Sequence, residues 1–391
     1  AAVGSTTELD AFNVDSADTV NLQAVDAEDG GIRIGTDANN RVTTLNLNGD
    51  LSTNVLATAG AVQLFADNIR LAAGLAGTAA TITITTDSGT TDASITIATD
   101  VARGGTLASA TAWEDGLTLN ADTAAVVMNS SILDSLDHLD LTAGTADLGP
   151  MTLGDGFGNG GAVPNGVGLD INTTGGVTLR GDISTAGDTL TGNAGQVDFL
   201  GIGGTITLDA SSDVETVNDP AGTITITTDA TTTDAAIDID STIAGTTNGA
   251  DNLALNAGSA DVDLTASVGT GALRLGAISI IGNDIAIGDN TFATSTTDDI
   301  EASSLSVDAN GTADPDSITL DNLTIDVNGG SIDFSTDDFS FNNAVTLTST
   351  GATTQTVLFT GETPTTTIAI GDNATAAGTL DLSEAELNLV D

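Results

Sequence analysis

One stretch of alternating residues occurs twice in this chain, and it limits the folds that the chain can adopt. The later copy is TITITTDATTTDAAIDI at Thr223–Ile239, the earlier one is TITITTDSGTTDASITI at Thr81–Ile97, and 13 of the 17 positions are identical. In each copy Ile alternates with Thr or Asp, which is the period of a strand with one buried face. A corner rich in Asp, Thr and Gly then leads into a second alternating run. The sequence therefore predicts a repeated unit of one short strand and one tight polar corner.

Shorter matches in the same order extend this repeat into a duplication. GLDINT at 168–173 matches 31–36, VTLRGDIST at 177–185 matches 45–53, and LALNA at 253–257 matches 117–121. Stacked repeats share one continuous core, so we expect a single rod rather than separate globular domains. Its predicted parts are a lead-in over 1–28, a first copy over 29–165, a second copy over 166–300 and a partial third segment over 301–391.

Short strands with Gly, Asn and Asp corners, and no helical periodicity, predict an all-β fold. The first choice is an elongated parallel β-helix (β-solenoid) with coils of about 20–25 residues stacked about 4.8 Å apart. The alternative is a tandem array of antiparallel β-sandwiches, with NGD at 48–50 and NGG at 328–330 as candidate hairpin turns. Nine Phe, one Trp and no Tyr leave a narrow aliphatic core, which favours the β-helix. About seventeen coils would give a rod of about 80 Å.

The charge of the chain excludes two classes of partner. The chain has 55 acidic residues, six Arg, no Lys and one His, so its formal net charge is −49. Without a basic face it is not expected to bind nucleic acid or an anionic membrane surface.

No apolar run reaches the ~18–20 residues of a membrane helix, so membrane insertion is not expected. The absence of Cys agrees with a secreted protein held together by hydrogen-bonded ladders.

The Gly-led strands GGVTLRGDIST, GTITLDAS and DNLALNAGSADVDLTAS resemble the β-helical shafts of filamentous-haemagglutinin-like proteins. These are very large bacterial surface exoproteins, and the resemblance covers roughly residues 29–391. It implies that the helix is right-handed and that the protein is extracellular, at the bacterial cell surface. It also implies a role as an adhesin shaft or structural filament, and it points to no active site.

We therefore expect a mechanical protein without catalytic activity. Because the repeat pattern continues through 378–391, the chain is expected either to belong to a longer parent chain or to assemble head to tail into a filament or sheath. Cell-surface or matrix glycans are further candidate partners. The alternative function is a Ca²⁺-stabilised, polysaccharide-binding or polysaccharide-cleaving solenoid, which would need aromatic side chains in a groove. Trp113 is the only Trp, and His138 is expected at an exposed strand position.

One loop has the spacing of a structural Ca²⁺ site. In DANGTADPD, the residues Asp308, Asn310, Asp314 and Asp316 place oxygen atoms at alternating positions. Ca²⁺ takes six to eight oxygen ligands, and alternating side chains point to the same side. The loop lacks the closing Glu and the flanking helices of an EF-hand, so the other interpretation is an ordinary solvated turn. Ca²⁺ is the only cofactor that the sequence suggests.

Three further motifs have simpler explanations. RGD at 180–182 is an integrin-binding signature on a mobile loop, but NGD at 48–50 indicates that its Gly-Asp belongs to a repeating turn. GDGFGNGG at 154–161 occurs once, whereas Ca²⁺-binding β-rolls repeat such a motif. The Thr rows at 81–85 and 223–227 lie too far apart to form a flat ice-binding array, and β-branched residues are ordinary on an outer strand face.

Overall fold

The computed structural model describes residues 9–37, 39–53, 58–71, 80–156, 166–189, 191–209, 222–269, 273–288, 299–310, 316–342, 345–348, 356–361, 367–370 and 379–382. Over these ranges the chain forms short strands, one 3₁₀ turn at Val101–Arg103 and no α-helix. This confirms the prediction of an all-β protein.

The strands follow one another at close intervals. In the first part of the chain they are β1 (Phe12–Val14), β2 (Thr19–Leu22), β3 (Val25–Asp26), β4 (Ile32–Ile34), β5 (Val42–Leu47), β6 (Leu51–Ser52), β7 (Val62–Leu71), β8 (Ala80–Thr85), β9 (Ile95–Ala98), β10 (Leu107–Ser109), β11 (Asp115–Asn120), β12 (Ala125–Met128), β13 (Leu133–Leu136), β14 (Leu139–Ala143), β15 (Thr145–Leu148) and β16 (Met151–Leu153). In the second part they are β17 (Val167–Thr173), β18 (Val177–Leu179), β19 (Ile183–Ser184), β20 (Gln196–Phe199), β21 (Ile206–Leu208), β22 (Thr223–Thr227), β23 (Ile237–Ile239), β24 (Ile243–Gly245), β25 (Asn252–Asn256), β26 (Val262–Leu264), β27 (Leu275–Gly282) and β28 (Asp284–Ile287). The last part holds β29 (Asp299–Ala309), β30 (Ser317–Asp321), β31 (Thr324–Val327), β32 (Ser331–Ser335), β33 (Asp338–Asn342), β34 (Thr346–Thr348), β35 (Thr356–Thr360), β36 (Thr367–Ile370) and β37 (Thr379–Leu382).

Every pair of these strands that is joined by a ladder is parallel. The strands form sheets of 23 and 12 members, with β36 and β37 as a separate pair. The alternative of antiparallel sandwiches is therefore wrong for the described strands. The corner at 48–50 is not a hairpin, because β5 and β6 pair with other strands rather than with each other.

The pairings resolve into three ladders, and the chain visits them in a fixed order. The third ladder is the 12-stranded sheet β3-β6-β8-β11-β14-β17-β20-β23-β26-β28-β30-β33. The first ladder begins β1-β4-β7-β9-β12-β15-β18-β21-β24, and the second begins β2-β5-β7-β10-β13-β16-β19-β22-β25-β27. The long strands β7 and β29 contribute to both of these ladders, which joins them into one 23-stranded sheet.

The length of chain between stacked positions varies more than the sequence suggested. Leu133 pairs with Met151, whereas Ile183 pairs with Ile226, so one coil takes from about 20 to about 40 residues. The third ladder consequently stacks twelve strands between Val25 and Asn342. At about 4.8 Å a step these strands span roughly 50 Å. Over residues 25–342 the coils are on average longer than the expected length of about 20–25 residues, so this part of the chain holds fewer coils than the estimate of about seventeen coils and 80 Å assumed.

The core is a set of columns of stacked, mostly aliphatic side chains. One column on the third ladder runs through Ile82, Leu117, Leu139, Leu169, Val197, Ile237, Val262, Ile285, Ile318 and Phe339, all of them buried. Alternating residues of the same strands point outward. A narrow interior filled by stacked Leu, Ile and Val is what the aromatic-poor composition predicted.

The duplicated sequences lie on different ladders. β5 and β6 occupy the second and third ladders, but their counterparts β18 and β19 occupy the first and second. In the same way β8 lies on the third ladder and its counterpart β22 lies on the second. With β7 counted once for each of its two ladders, the repeat is fourteen strands, or four coils and two strands. The second copy is therefore shifted by one ladder relative to the first.

Candidate functional sites

The predicted Ca²⁺ loop lies only partly within the described residues. Asp308 lies in β29 between Ile281 and Ser335 of the neighbouring strands, and Asn310 is exposed just after it. Asp316 is buried, and its Oδ1 accepts the amide N–H of Asp337 at 3.2 Å. Asp314 lies outside the described residues. The calcium loop stays a prediction, although Asp316 already has a structural partner in the next coil.

The RGD sequence forms a structural turn. The Asp182 carboxylate accepts the amide of Thr225 at 2.7 Å, and in the first copy Asp50 accepts the amide of Thr83 at 2.8 Å. Thr83 and Thr225 occupy equivalent positions of the duplicated stretch. The prediction that Gly-Asp belongs to a repeating turn is confirmed.

Arg180 itself clamps neighbouring coils. Its Nε donates to Asp147 Oδ1 at 2.6 Å, its Nη1 donates to Asp209, and the three side chains are each a quarter exposed or less. Arg274, with 12% of its side chain exposed, likewise bonds Asp326 at 2.9 Å and the backbone carbonyl of Ala302 at 3.2 Å. The guanidinium groups of Arg180 and Arg274 thus join successive coils.

The two copies share an acidic corner with the same pattern of hydrogen bonds. In the first copy Asp92 accepts the amide of Ser88 at 2.8 Å and the amide of Thr123, from the next coil, at 3.3 Å. Asn120 of that coil donates to Asp87 at 3.2 Å. The second copy repeats all three bonds, in which Asp234 accepts from Ala230 and Ser259 and Asn256 donates to Asp229.

The two corners differ by one carboxylate. Asp122 joins Asp87 and Asp92 in the first copy, with one ligand atom from each residue lying within 4.8 Å of the others. Its counterpart is Gly258, and both residues have a positive φ, 43° and 58°. Three carboxylates can supply part of the oxygen shell that Ca²⁺ takes.

In the first corner the pKa values of Asp92 and Asp122 are shifted in opposite directions. Hydrogen bonds from Thr123 and Ser88 lower the pKa of Asp92, which favours its charged form. Desolvation raises the pKa of Asp122, and the charges of Asp92 and Asp87 raise it further. A cation between the three groups would relieve this repulsion. A second trio, Asp10, Glu28 and Asp29, has comparable spacing near the start of the described chain.

His138 is not at an exposed strand position. It precedes β14, its side chain is 17% exposed, and its ring lies over Gly116, where an added Cβ would come within 2.0 Å of Cε1. Nδ1 is 2.8 Å from Asp137 Oδ2, and Nε2 is 3.4 Å from the hydroxyl of Thr81. The expectation of exposure was wrong because glycine in β11 leaves room for the imidazole.

The pKa of His138 reflects two opposing effects. Burial lowers it, but the hydrogen bond to Asp137 and the charges of Asp137 and Asp140 outweigh burial, so the pKa is raised. Asp115 lies nearby, almost fully buried, and accepts the hydroxyl of Ser109 at 2.7 Å. Burial raises the pKa of Asp115 despite that bond. His138 with Asp137, and Ser109 with Asp115, thus form hydrogen-bonded pairs that link side chains of the protein to each other.

Trp113 packs against the rod. Its φ is 64°, and its ring covers Gly187, where an added Cβ would lie 2.5 Å from Cη2. Among the described residues the large apolar side chains that are exposed are Leu200, Leu273 and Leu358, and none is aromatic. The polysaccharide-binding alternative therefore stays a prediction without a described aromatic surface.

Buried Thr hydroxyls close the corners, and sequence reasoning missed them. In each case a fully buried Thr donates to a backbone carbonyl across the corner: Thr53 to Gly60, Thr86 to Ala93, Thr185 to Gly195 and Thr228 to Ala235. The available signal was a Thr at the inward position that follows the last aliphatic residue, as in LST at 51–53 and IST at 183–185. These Thr locks occur at equivalent places in both copies.

Comparisons with known proteins add no family to this description. No family model, curated protein or solved structure matches the chain. Within the described ranges, no helix has the length and apolar character needed to cross a bilayer.

Proposed function

We propose that this chain is a structural rod, a closed and right-handed parallel β-helix that works outside a bacterial cell or on its surface. The observation that supports the proposal is the third ladder, which pairs twelve strands in one direction through both copies. Successive coils are joined by backbone hydrogen bonds over the whole of this distance. Such a body suits the task of holding two things apart or of building a fibre.

The polar side chains support the same function. Arg180 and Arg274 bond to groups of neighbouring coils, and the Thr locks close corners from inside. Asp50 and Asp182 each accept a hydrogen bond from a backbone amide of the next coil. Groups that could have been presented to a ligand are used to hold coils together, so we propose no catalytic activity.

Two forms of the function remain, and they differ in the partner. As an adhesin shaft, the chain is a spacer in a longer parent protein, and recognition of cell-surface or matrix glycans occurs elsewhere. As a filament or sheath subunit, it binds a second copy head to tail, because an unpaired strand edge offers free N–H and C=O groups. Ca²⁺ bound by carboxylates would stabilise either form.

Electron microscopy of the purified chain, with and without a chelator, tests the proposal. Separate rods with a straight body of at least roughly 50 Å support the shaft, and long fibres with a regular axial repeat support the filament. Fibres that fall apart on chelation place a divalent cation at the joints. Compact particles without an axial repeat would contradict both forms.

A further inference from the structure

Five Asp side chains form one outward column on the third ladder. Asp140 pairs in register with Asp170, Asp170 with Asp198, Asp198 with Asp238, and Asp238 with Asp263. Parallel strands in register place equivalent side chains above one another, about 4.8 Å apart. The Asp column is therefore a line of carboxylates along the rod rather than a scatter of surface charge.

The neighbours of the Asp column add little positive charge. Beside Asp140 lie the hydroxyl of Thr118 at 3.4 Å and Nε2 of His138 at 4.0 Å. At the other end Asp263 is followed by Ala286, and Asp261 adds a negative charge near Asp238. The described ion pairs of the Arg side chains go to other carboxylates, namely Asp15, Asp100, Asp147, Asp209, Glu301 and Asp326.

One amide bridges the middle of the Asp column. Gln196 Nε2 donates to Asp198 Oδ1 at 2.7 Å and to Asp238 Oδ2 at 2.5 Å. An ionised carboxylate can only accept hydrogen bonds, so stacked carboxylates cannot bond one another directly. Protonation of one of them supplies a donor. Like charges directly opposite each other in a sheet are destabilising.

The proton affinities agree with this geometry. Burial raises the pKa of Asp198 to about 6; the Gln196 bond opposes this, and the charges of Asp238 and Asp170 reinforce it. Burial also raises the pKa of Asp170 and of Asp238, with the charge of Asp140 adding to the first and that of Asp261 to the second.

We infer that the Asp column is a proton-responsive element that strengthens the third ladder in mild acid. Uptake of a proton from solvent converts two repelling carboxylates into a carboxyl–carboxylate pair that shares a hydrogen bond, and no covalent bond of the chain changes. The rod then loses part of its axial repulsion. This property follows from the register and holds for a shaft and for a filament alike.

The direction of the effect follows from linkage. A folded-state pKa above the unfolded value means that the folded chain binds more protons between the two values. For Asp198 this stabilisation is fully present below the ordinary value of 3.8 and is lost as the pH rises through about 6. The raised pKa of His138 acts in the same direction. Asp92, whose pKa is lowered, loses its contribution only below 3.8 and does not oppose the effect.

Asp198→Asn tests the inference, and Asp333→Asn is its matched control. Asp333 also lies outward in a strand and accepts a neighbouring side chain, the hydroxyl of Ser331 at 2.8 Å, but its register partners are Ser306 and Leu358. At the higher pH both substitutions remove one negative charge. The measurement is the thermal midpoint at about pH 5 and about pH 7.5 at constant ionic strength, with hydrogen exchange of 196–199 as a local readout.

We expect the wild-type midpoint to be higher at about pH 5 than at about pH 7.5. Asp198→Asn should raise the midpoint at the higher pH by about 2 °C or more and reduce the pH dependence. Asp333→Asn should leave the pH dependence unchanged. A wild-type midpoint that is equal or lower in acid would overturn the inference, and so would equal behaviour of the two variants. NMR titration of the Asp carboxyl carbons gives an independent result, since midpoints at or below the ordinary value throughout the column would also overturn it.

Discussion

Replacing Thr228 with Val removes one buried hydroxyl and nearly preserves the volume of the side chain. Thr228 is 0% exposed, and its Oγ1 donates to the carbonyl of Ala235 across a seven-residue corner. Thr86 makes the same bond to Ala93 in the first copy, after a strand that belongs to a different ladder. Because Val cannot donate, each substitution leaves a carbonyl of the corner without this partner.

The size of the effect can be estimated from burial. A buried polar group left without its partner costs about 1–3 kcal/mol. Since 1.4 kcal/mol corresponds to a factor of ten, the corner is expected to open about 5 to 150 times more often. The effect should stay local, because each repeat of a solenoid contacts only its neighbours.

Hydrogen exchange read by mass spectrometry measures this opening directly. Thr228→Val should accelerate exchange over 228–239, and Thr86→Val should accelerate it over 86–97 by a similar factor. Thr225→Val is the control, because Thr225 lies in β22, the strand that ends just before Thr228, and is only partly buried at an outward position. A change of less than about twofold at both corners, or an equal change in the control, would refute the argument that the lock stabilises the corner.

Two further predictions concern charge. Arg180→Met should lower the free energy of unfolding, measured by urea denaturation, by about 1–3 kcal/mol, because Asp147 and Asp209 lose the cation between them. Arg70→Met, at an exposed position, is the control. Equal losses in both variants would contradict the clamp. Added NaCl should raise the thermal midpoint by screening a net charge of −49, and CaCl₂ at the same ionic strength should raise it further. A midpoint that ignores both salts would contradict this interpretation of the charge.

The strands could be predicted from the sequence, but the lengths of the coils could not. Alternation in TITIT at 223–227 determines which side chains point inward, and this holds in the structure. The distance to the next coil is different. Ile183 and Ile226 are stacked although the chain between them is long, and extra corner residues cost little free energy of loop closure. Spacing in the sequence therefore carries little information on register.

The polar sites could not be predicted for the same reason, because they depend on which residues of different coils are in register. The surroundings of His138 depend on Gly116 and Thr81, which come from preceding coils. The Asp column did leave a signal, an Asp between two aliphatic or aromatic residues: LDL at 139–141, LDI at 169–171, VDF at 197–199, IDI at 237–239 and VDL at 262–264. Five such triplets show five outward Asp residues, but only the ladder shows that they are stacked.

The shift of the duplicated sequence by one ladder leads to a prediction about the three ladders themselves. Because the same sequence folds as β5–β6 on two ladders and as β18–β19 on another pair, position around the axis does not determine the fold of a strand. Deleting residues 45–176 joins Thr44 to Val177, which is the counterpart of Leu45. We expect β18 to take the place of β5, and the shortened chain to fold into a rod about 22 Å shorter, at about 4.8 Å for each lost coil.

Deleting one residue more is the control for this experiment. Removal of 45–177 places Thr178, an outward residue, in the inward position of Leu45. The inward and outward positions are then exchanged over the rest of that strand, as far as the next corner. A slip of one residue exchanges the two faces of a strand, so this variant should fail to form the ladder or should become much less stable. Circular dichroism and electron microscopy of both variants decide the outcome. If the first deletion unfolds as completely as the second, the ladders are not interchangeable, and each copy requires its own ladders.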